Sequence, residues 1–168
     1  YGADHVKVRQ SVFNHLPPPL RNTILQKKCD YFAVLPHCLS LFDNIDTTQG
    51  FSIKDTVDIG MSHSIYHITL DLGQCEKQIV LKEEELPHQP FFCQLLKKLN
   101  WPSYQSIHVE DQLKSWEISE YLGPKSVQDH LLISDIDFNN LVPQLAAHAA
   151  LGDVLGRGDR HLENYMVK

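Results

Sequence analysis

Asp159, His161 and Asn164 stand in the run Leu155-Gly156-Arg157-Gly158-Asp159-Arg160-His161-Leu162-Glu163-Asn164-Tyr165-Met166-Val167, a polar centre between apolar flanks. A carboxylate, an imidazole and a carboxamide at this spacing suit the transfer of a phosphoryl group. The Asp159 carboxylate would orient or deprotonate an acceptor hydroxyl. The Asn164 oxygen would hold Mg2+, and His161 would fix the loop or stabilise the phosphate in transfer. The competing reading of the same residues is a helix end followed by a solvated turn. Two upstream positions extend the set. Lys82 ends the apolar run Ile79-Val80-Leu81, where its ammonium would meet the α- and β-phosphates of ATP. Gly60 and Ser62, in Gly60-Met61-Ser62-His63-Ser64, allow close approach and backbone N–H donation to phosphate.

These residues need elements to position them. Residues 1–50 read as a peripheral helical extension, with Val12, Phe13, Leu16, Leu20, Ile24 and Leu25 at near-helical spacing and Pro17-Pro18-Pro19 interrupting. Asp43 to Gly50 is a loop by composition. Ser64 to Leu70 alternates and is rich in β-branched and aromatic residues, so it predicts a strand. Gln78 to Lys82 is its hairpin partner across the turn Asp71-Leu72-Gly73-Gln74. Pro90 opens a helix with Phe91, Phe92, Leu95, Leu96 and Leu99 on one face, and Trp101-Pro102 ends it. Short strands follow at Ser106–Glu110 and Lys114–Tyr121. Beyond the breaker Gly123-Pro124 come a short helix near Ser126–Leu132 and a long one from Asp137 to about Leu155, stopped by Gly156-Arg157-Gly158. The order predicts an α+β fold of two lobes with a cleft at the joint. Its parts are the extension 1–50, a smaller lobe 51–122 and part of a helical lobe 123–168.

Gly158-Asp159-Arg160-His161-Leu162-Glu163-Asn164 resembles the catalytic loop of the phosphatidylinositol 3- and 4-kinases and their protein-kinase relatives, G-D-R-H-x-x-N. The same loop, as D-x-H-x-E-N, occurs in the lipid-kinase-like dehydratase domain of type 2 lanthipeptide synthetases. The interval from Lys82 to Asp159 is short, which suits the compact synthetase domain. Lys82-Glu83-Glu84-Glu85-Leu86, Phe91, Leu95-Leu96 and Leu99-Asn100 are similar to its K-P-R-S-L, F, L-L and L-N. Trp116-Glu117-Ile118-Ser119-Glu120-Tyr121 is similar to its W-V-E-F-I segment. The resemblance runs from Val57 to Lys168. It implies a protein/lipid-kinase-like fold, truncated after the catalytic loop, that binds ATP and Mg2+. It places Glu120 and Tyr121 at a hinge meeting adenine through backbone hydrogen bonds. Two departures accompany it: the Arg of K-P-R is absent, and an early D-x-H is matched only by Asp58-Ile59-Gly60. Phosphorylation is therefore the shared expectation, rather than phosphate elimination.

The implied activity is transfer of the γ-phosphate to a hydroxyl-bearing acceptor, either Ser/Thr of a peptide or protein or a lipid headgroup. The alternative within this class is an ATP-binding pseudokinase or scaffold. The lysine in such enzymes pairs with an acid on the following helix. Residues 91–99 contain none, which leaves Glu83, Glu84, Glu85 or Asp111 open. The carboxylate that would join Asn164 on the metal is expected beyond Lys168, so weak or absent turnover is expected of this stretch alone.

Composition narrows the alternatives. Hydrophobic residues are 42% and charged residues 21% of 168, ordinary globular values that exclude a disordered or coiled-coil chain. A net charge of -6, from 15 Lys+Arg against 21 Asp+Glu, argues against nucleic acid as a partner. No apolar run has the length of a transmembrane segment. Cys29, Cys38, Cys75 and Cys93 form no CxxC pair and read as buried thiols of a reducing, cytoplasmic setting. His63 and His67 lie on a predicted strand without a following Glu, a weak metal signal. Arg157-Gly158-Asp159 is also the integrin tripeptide, a match too short to outweigh the rest. A plain helical interaction module is the remaining reading.

Overall fold

The computed structural model describes residues 2–28, 31–46, 48, 50–60, 64–101, 103–124 and 137–156. The chain divides into two compact units, one of residues 1–99 with 103–121, the other of 100–102 with 122–168. The first unit opens with three helices, α1 (Gly2–His15), α2 (Pro18–Lys28) and α3 (Tyr31–Val34), and a 3₁₀ helix over Leu35–Leu41. Strands β1 (Ser52–Asp58), β2 (Ile65–Asp71) and β3 (Glu76–Glu83) follow, then α4 (His88–Lys98), β4 (Ser106–Glu110) and β5 (Ser115–Glu120). The five strands form one antiparallel sheet in the order β1-β2-β3-β5-β4. The architecture is mixed α+β, as expected.

The predicted hairpin is β2–β3. Its turn uses Gly73 at φ +78, the left-handed conformation that a two-residue hairpin loop demands, and Gly73 N–H donates to Asp71 Oδ1 at 2.8 Å. β4 matches the short strand expected at Ser106–Glu110, and β5 lies within the one expected at Lys114–Tyr121. The helix expected to open at Pro90 starts two residues earlier, at His88. An additional strand, β1, precedes the hairpin and makes the Lys82 strand the third of the sheet. A bulge between Ile53 and Asp55 interrupts its register.

The N-terminal helices are not peripheral. Side chains alternate across a strand, so each sheet has two faces. One face carries Tyr66, Ile68, Leu70, Ile79, Leu81, Trp116 and Ile118, all buried. Against it pack Phe13, Leu25, Val34, Leu35, Cys38 and Leu41 from the helices, in one continuous core. Edge strand β1 is held by polar ties. Thr56 Oγ1 donates to Asn22 Oδ1 at 2.8 Å, and the buried Arg21 guanidinium donates to Asp55 and to the carbonyls of Asn14 and Leu16. On the second face α4 packs against β4 and buries Pro90, Phe92, Cys93 and Leu96.

In the second unit α5 (Phe138–Val154) matches the long predicted helix. Asp137 caps it by accepting from Asn139 N at 3.0 Å, and Gly156 at φ +68 takes the left-handed position after its end. Pro143 inside the helix lacks the N–H that would close one backbone bond. The short helix expected near 126–132 lies outside the described residues. Among the described residues no helix is long and apolar enough to cross a membrane.

Candidate functional site

β3 runs antiparallel to β5 with Lys82 directly opposite Glu117, and β4 puts His108 directly opposite Glu117 on its other side. Directly opposite residues share a sheet face. The result is a row across three strands: ammonium, carboxylate, imidazole. Glu84, two residues beyond Lys82 on the same face, completes the group. Its Oε2 lies 3.0 Å from Lys82 Nζ, with the two side chains 34% and 30% exposed for Lys82 and Glu84. His108 Nε2 lies 3.0 Å from the Glu84 carbonyl oxygen. Neighbouring Glu83 points to the other face and bonds Lys114 Nζ at 2.8 Å.

Of the acids left open as the partner of Lys82, Glu84 makes the contact. Glu85 is exposed. Asp111 accepts from Trp116 Nε1 at 3.1 Å and from the N–H groups of Leu113 and Lys114. α4 has no acid, as its sequence states.

Glu117 is the residue that sequence reasoning did not single out. Its only sequence signal is an acid between Trp116 and Ile118, and alternation alone would turn it to solvent. Cys93 of α4 lies near enough to interact with it, and Glu117 is only 7% exposed. Burial pushes its carboxyl above the usual carboxylate range. Lys82 draws it back down, Glu84 raises it again, and the Ser106 hydroxyl and His108 lower it slightly. The folded chain therefore holds the Glu117 proton more tightly than the unfolded chain. The contribution of Glu117 to stability is greatest below the ordinary glutamate pKa of about 4.3, falls as pH rises from there through the raised folded value, and is flat above it. Glu117→Gln removes this loss. The variant is more stable than the parent at pH 7 in urea unfolding, and the gap closes towards pH 4. An equal gap at both pH values would contradict the assignment.

The other predicted positions fare differently. Gly60 is buried, and its backbone is already engaged. Its N–H donates to Asp58 Oδ1 at 3.0 Å, and its carbonyl accepts from Gln10 Nε2 at 3.0 Å. Both backbone groups of Gly60 are thus engaged within the chain. Glu120 N–H donates to Gln105 O at 3.1 Å and Tyr121 N–H to Gln78 O at 3.2 Å, so both expected hinge donors serve the sheet. The Tyr121 ring stacks on His67 with centroids 3.9 Å apart, and His67 Nε2 lies 2.8 Å from Gln78 Oε1. Ser62, His63, Asp159, His161 and Asn164 lie outside the described residues.

Among the described residues no group of three or more His, Cys, Asp or Glu is placed to hold a metal ion. The Lys82 ammonium is partly exposed and its one ion pair among the described residues is with Glu84. Cys29 lies outside the described residues, and the described cysteines part company with expectation at one position. Cys38 and Cys93 are buried free thiols, pushed up to about 12 and about 11 by burial, but Cys75 is exposed at the hairpin turn. No protein-family model, no curated protein and no solved structure matches the chain.

Proposed function

We propose that the chain carries the nucleotide-binding part of an ATP-dependent phosphotransferase with an atypical kinase-like core. The observation that carries this reading is the setting of Lys82. In protein kinases the phosphate-binding lysine stands on the third strand, with its partner acid on the helix that follows. Lys82 stands on the third strand of an antiparallel sheet, and α4 follows it. The acids are supplied instead by Glu84 and by Glu117 across the ladder. To this the motif Gly158-Asp159-Arg160-His161-Leu162-Glu163-Asn164 adds a proton acceptor and a metal ligand at the expected spacing.

In this reading Lys82 holds the phosphates of ATP, Asp159 orients and deprotonates the acceptor hydroxyl, and His161 steadies the loop. Mg2+, when bound through Asn164, neutralises phosphate charge. The acceptor is a hydroxyl of a peptide, a protein or a lipid headgroup. An adenine edge would be met beyond Tyr121, where the β5 ladder ends.

Mg-ATP raises the melting temperature of the chain in this reading, and Lys82→Ala abolishes most of that rise. A ligand present at 100 times its Kd stabilises by about 2.7 kcal/mol, which is well within reach of a thermal-shift measurement. The absence of any shift with the parent chain, or an undiminished shift with Lys82→Ala, would sink the reading.

A further inference from the structure

We propose that Glu84 is a built-in stand-in for the phosphate: it occupies Lys82 in the ligand-free chain and is displaced by the polyphosphate of the nucleotide, while Glu117 stays behind the lysine as its fixed counter-charge. The proposal rests on the phosphotransferase reading and adds to it the contact that the incoming ligand must break.

Three features support the division of labour. First, the two acids reach Lys82 from different kinds of backbone. Glu117 lies in the middle of β5, laddered to β3 on one side and β4 on the other. Glu84 lies just past the end of β3, where its N–H still donates to Ser115 O at 3.1 Å but strand pairing has stopped. A side chain at that position swings away without disturbing a ladder. Second, the exposures differ. Glu117 is buried, with Cys93 of α4 near enough to interact, whereas Glu84 is 30% exposed and has water to move into. Third, Lys82 is itself 34% exposed, so an anion from solvent reaches the ammonium on the side that Glu84 covers. A polyphosphate carries several negative charges against one on Glu84, and a partly exposed ion pair is weak enough to exchange.

The contact therefore competes with the ligand, and removing it strengthens binding. Titration calorimetry is run with Mg-ATP and, separately, with inorganic tripolyphosphate on the parent chain, Glu84→Gln and Glu83→Gln. Glu83→Gln removes the same charge one residue away, from the opposite face and from Lys114 rather than Lys82. The expected result is binding about two- to fivefold tighter in Glu84→Gln for both ligands, with Glu83→Gln close to the parent. Unchanged or weaker binding by Glu84→Gln, in a parent chain that does bind, overturns the displacement and leaves the phosphotransferase reading standing. Equal tightening by both variants also overturns it, because the effect would then be general charge reduction. A parent chain that binds neither ligand removes the reading and the proposal together.

Discussion

A chain that begins at Gly50 does not fold into a cooperative unit. Five large apolar side chains would be lost from the core, Phe13, Leu25, Val34, Leu35 and Leu41, each 9% exposed or less. Burying one such side chain contributes about 1.5–3 kcal/mol. Their sum is comparable to the whole stability of an ordinary domain, about 5–15 kcal/mol. The truncation also bares the sheet face of Tyr66, Ile68, Leu70, Ile79, Leu81, Trp116 and Ile118, and releases β1 from Arg21, Asn22 and Asn14. The expected product shows poor amide dispersion by NMR, binds hydrophobic dyes and has no sharp unfolding transition. A single change tests the same layer more gently. Leu25→Ala lowers the unfolding free energy by about 2–5 kcal/mol in urea titration. A well-folded chain from Gly50 would mean that the helices are an appendage, as their sequence suggested.

That suggestion failed for a physical reason. Periodicity reports which face of a helix is apolar, and the N-terminal segment shows only an interrupted stripe. The residues that matter, Phe13 on α1, Leu25 on α2 and Val34, Leu35, Cys38 and Leu41 beyond, converge only when the three-proline break and the following turns bring them over one sheet. β1 was missed for a related reason. Of its inward contacts only Ile53 is apolar, while Thr56 meets Asn22 and Asp55 meets Arg21, so no sustained hydrophobic alternation marks it. The elements that were legible are those whose signals are local. The β2–β3 hairpin carries alternation plus a turn glycine, and α5 carries its cap at Asp137 and its stop at Gly156.

The site divides along the same line. Lys82 at a strand end is a local pattern and was found. The Lys82–Glu117–His108 row depends on the registers of two strand pairs, and register between strands far apart in sequence is set by tertiary packing. Glu117 also illustrates a trade of stability for charge. Its burial costs the fold stability at neutral pH, yet it keeps a carboxylate behind Lys82 that a glutamine would not supply.

On the proposed phosphotransfer reading, Asp159→Asn lowers turnover by about 10²- to 10⁴-fold while Mg-ATP binding is retained. The size follows from the work assigned to the side chain. A positioned base contributes about 10²–10⁴ to a proton transfer, and asparagine keeps the shape of aspartate but accepts no proton. Retained binding follows from the separation of roles, because the nucleotide phosphates are assigned to Lys82 on β3 and the acceptor hydroxyl to Asp159. The two variants therefore fail differently: Lys82→Ala loses the thermal shift with Mg-ATP, and Asp159→Asn keeps it. Transfer of labelled γ-phosphate is followed to a Ser/Thr-containing peptide in one arm and to phosphatidylinositol vesicles in the other, so the same assay reports the acceptor class. Parent-level transfer by Asp159→Asn would remove Asp159 from the chemistry. Loss of nucleotide binding in Asp159→Asn, equal to that in Lys82→Ala, would show that the loop 158–164 shapes the nucleotide site rather than activating the acceptor.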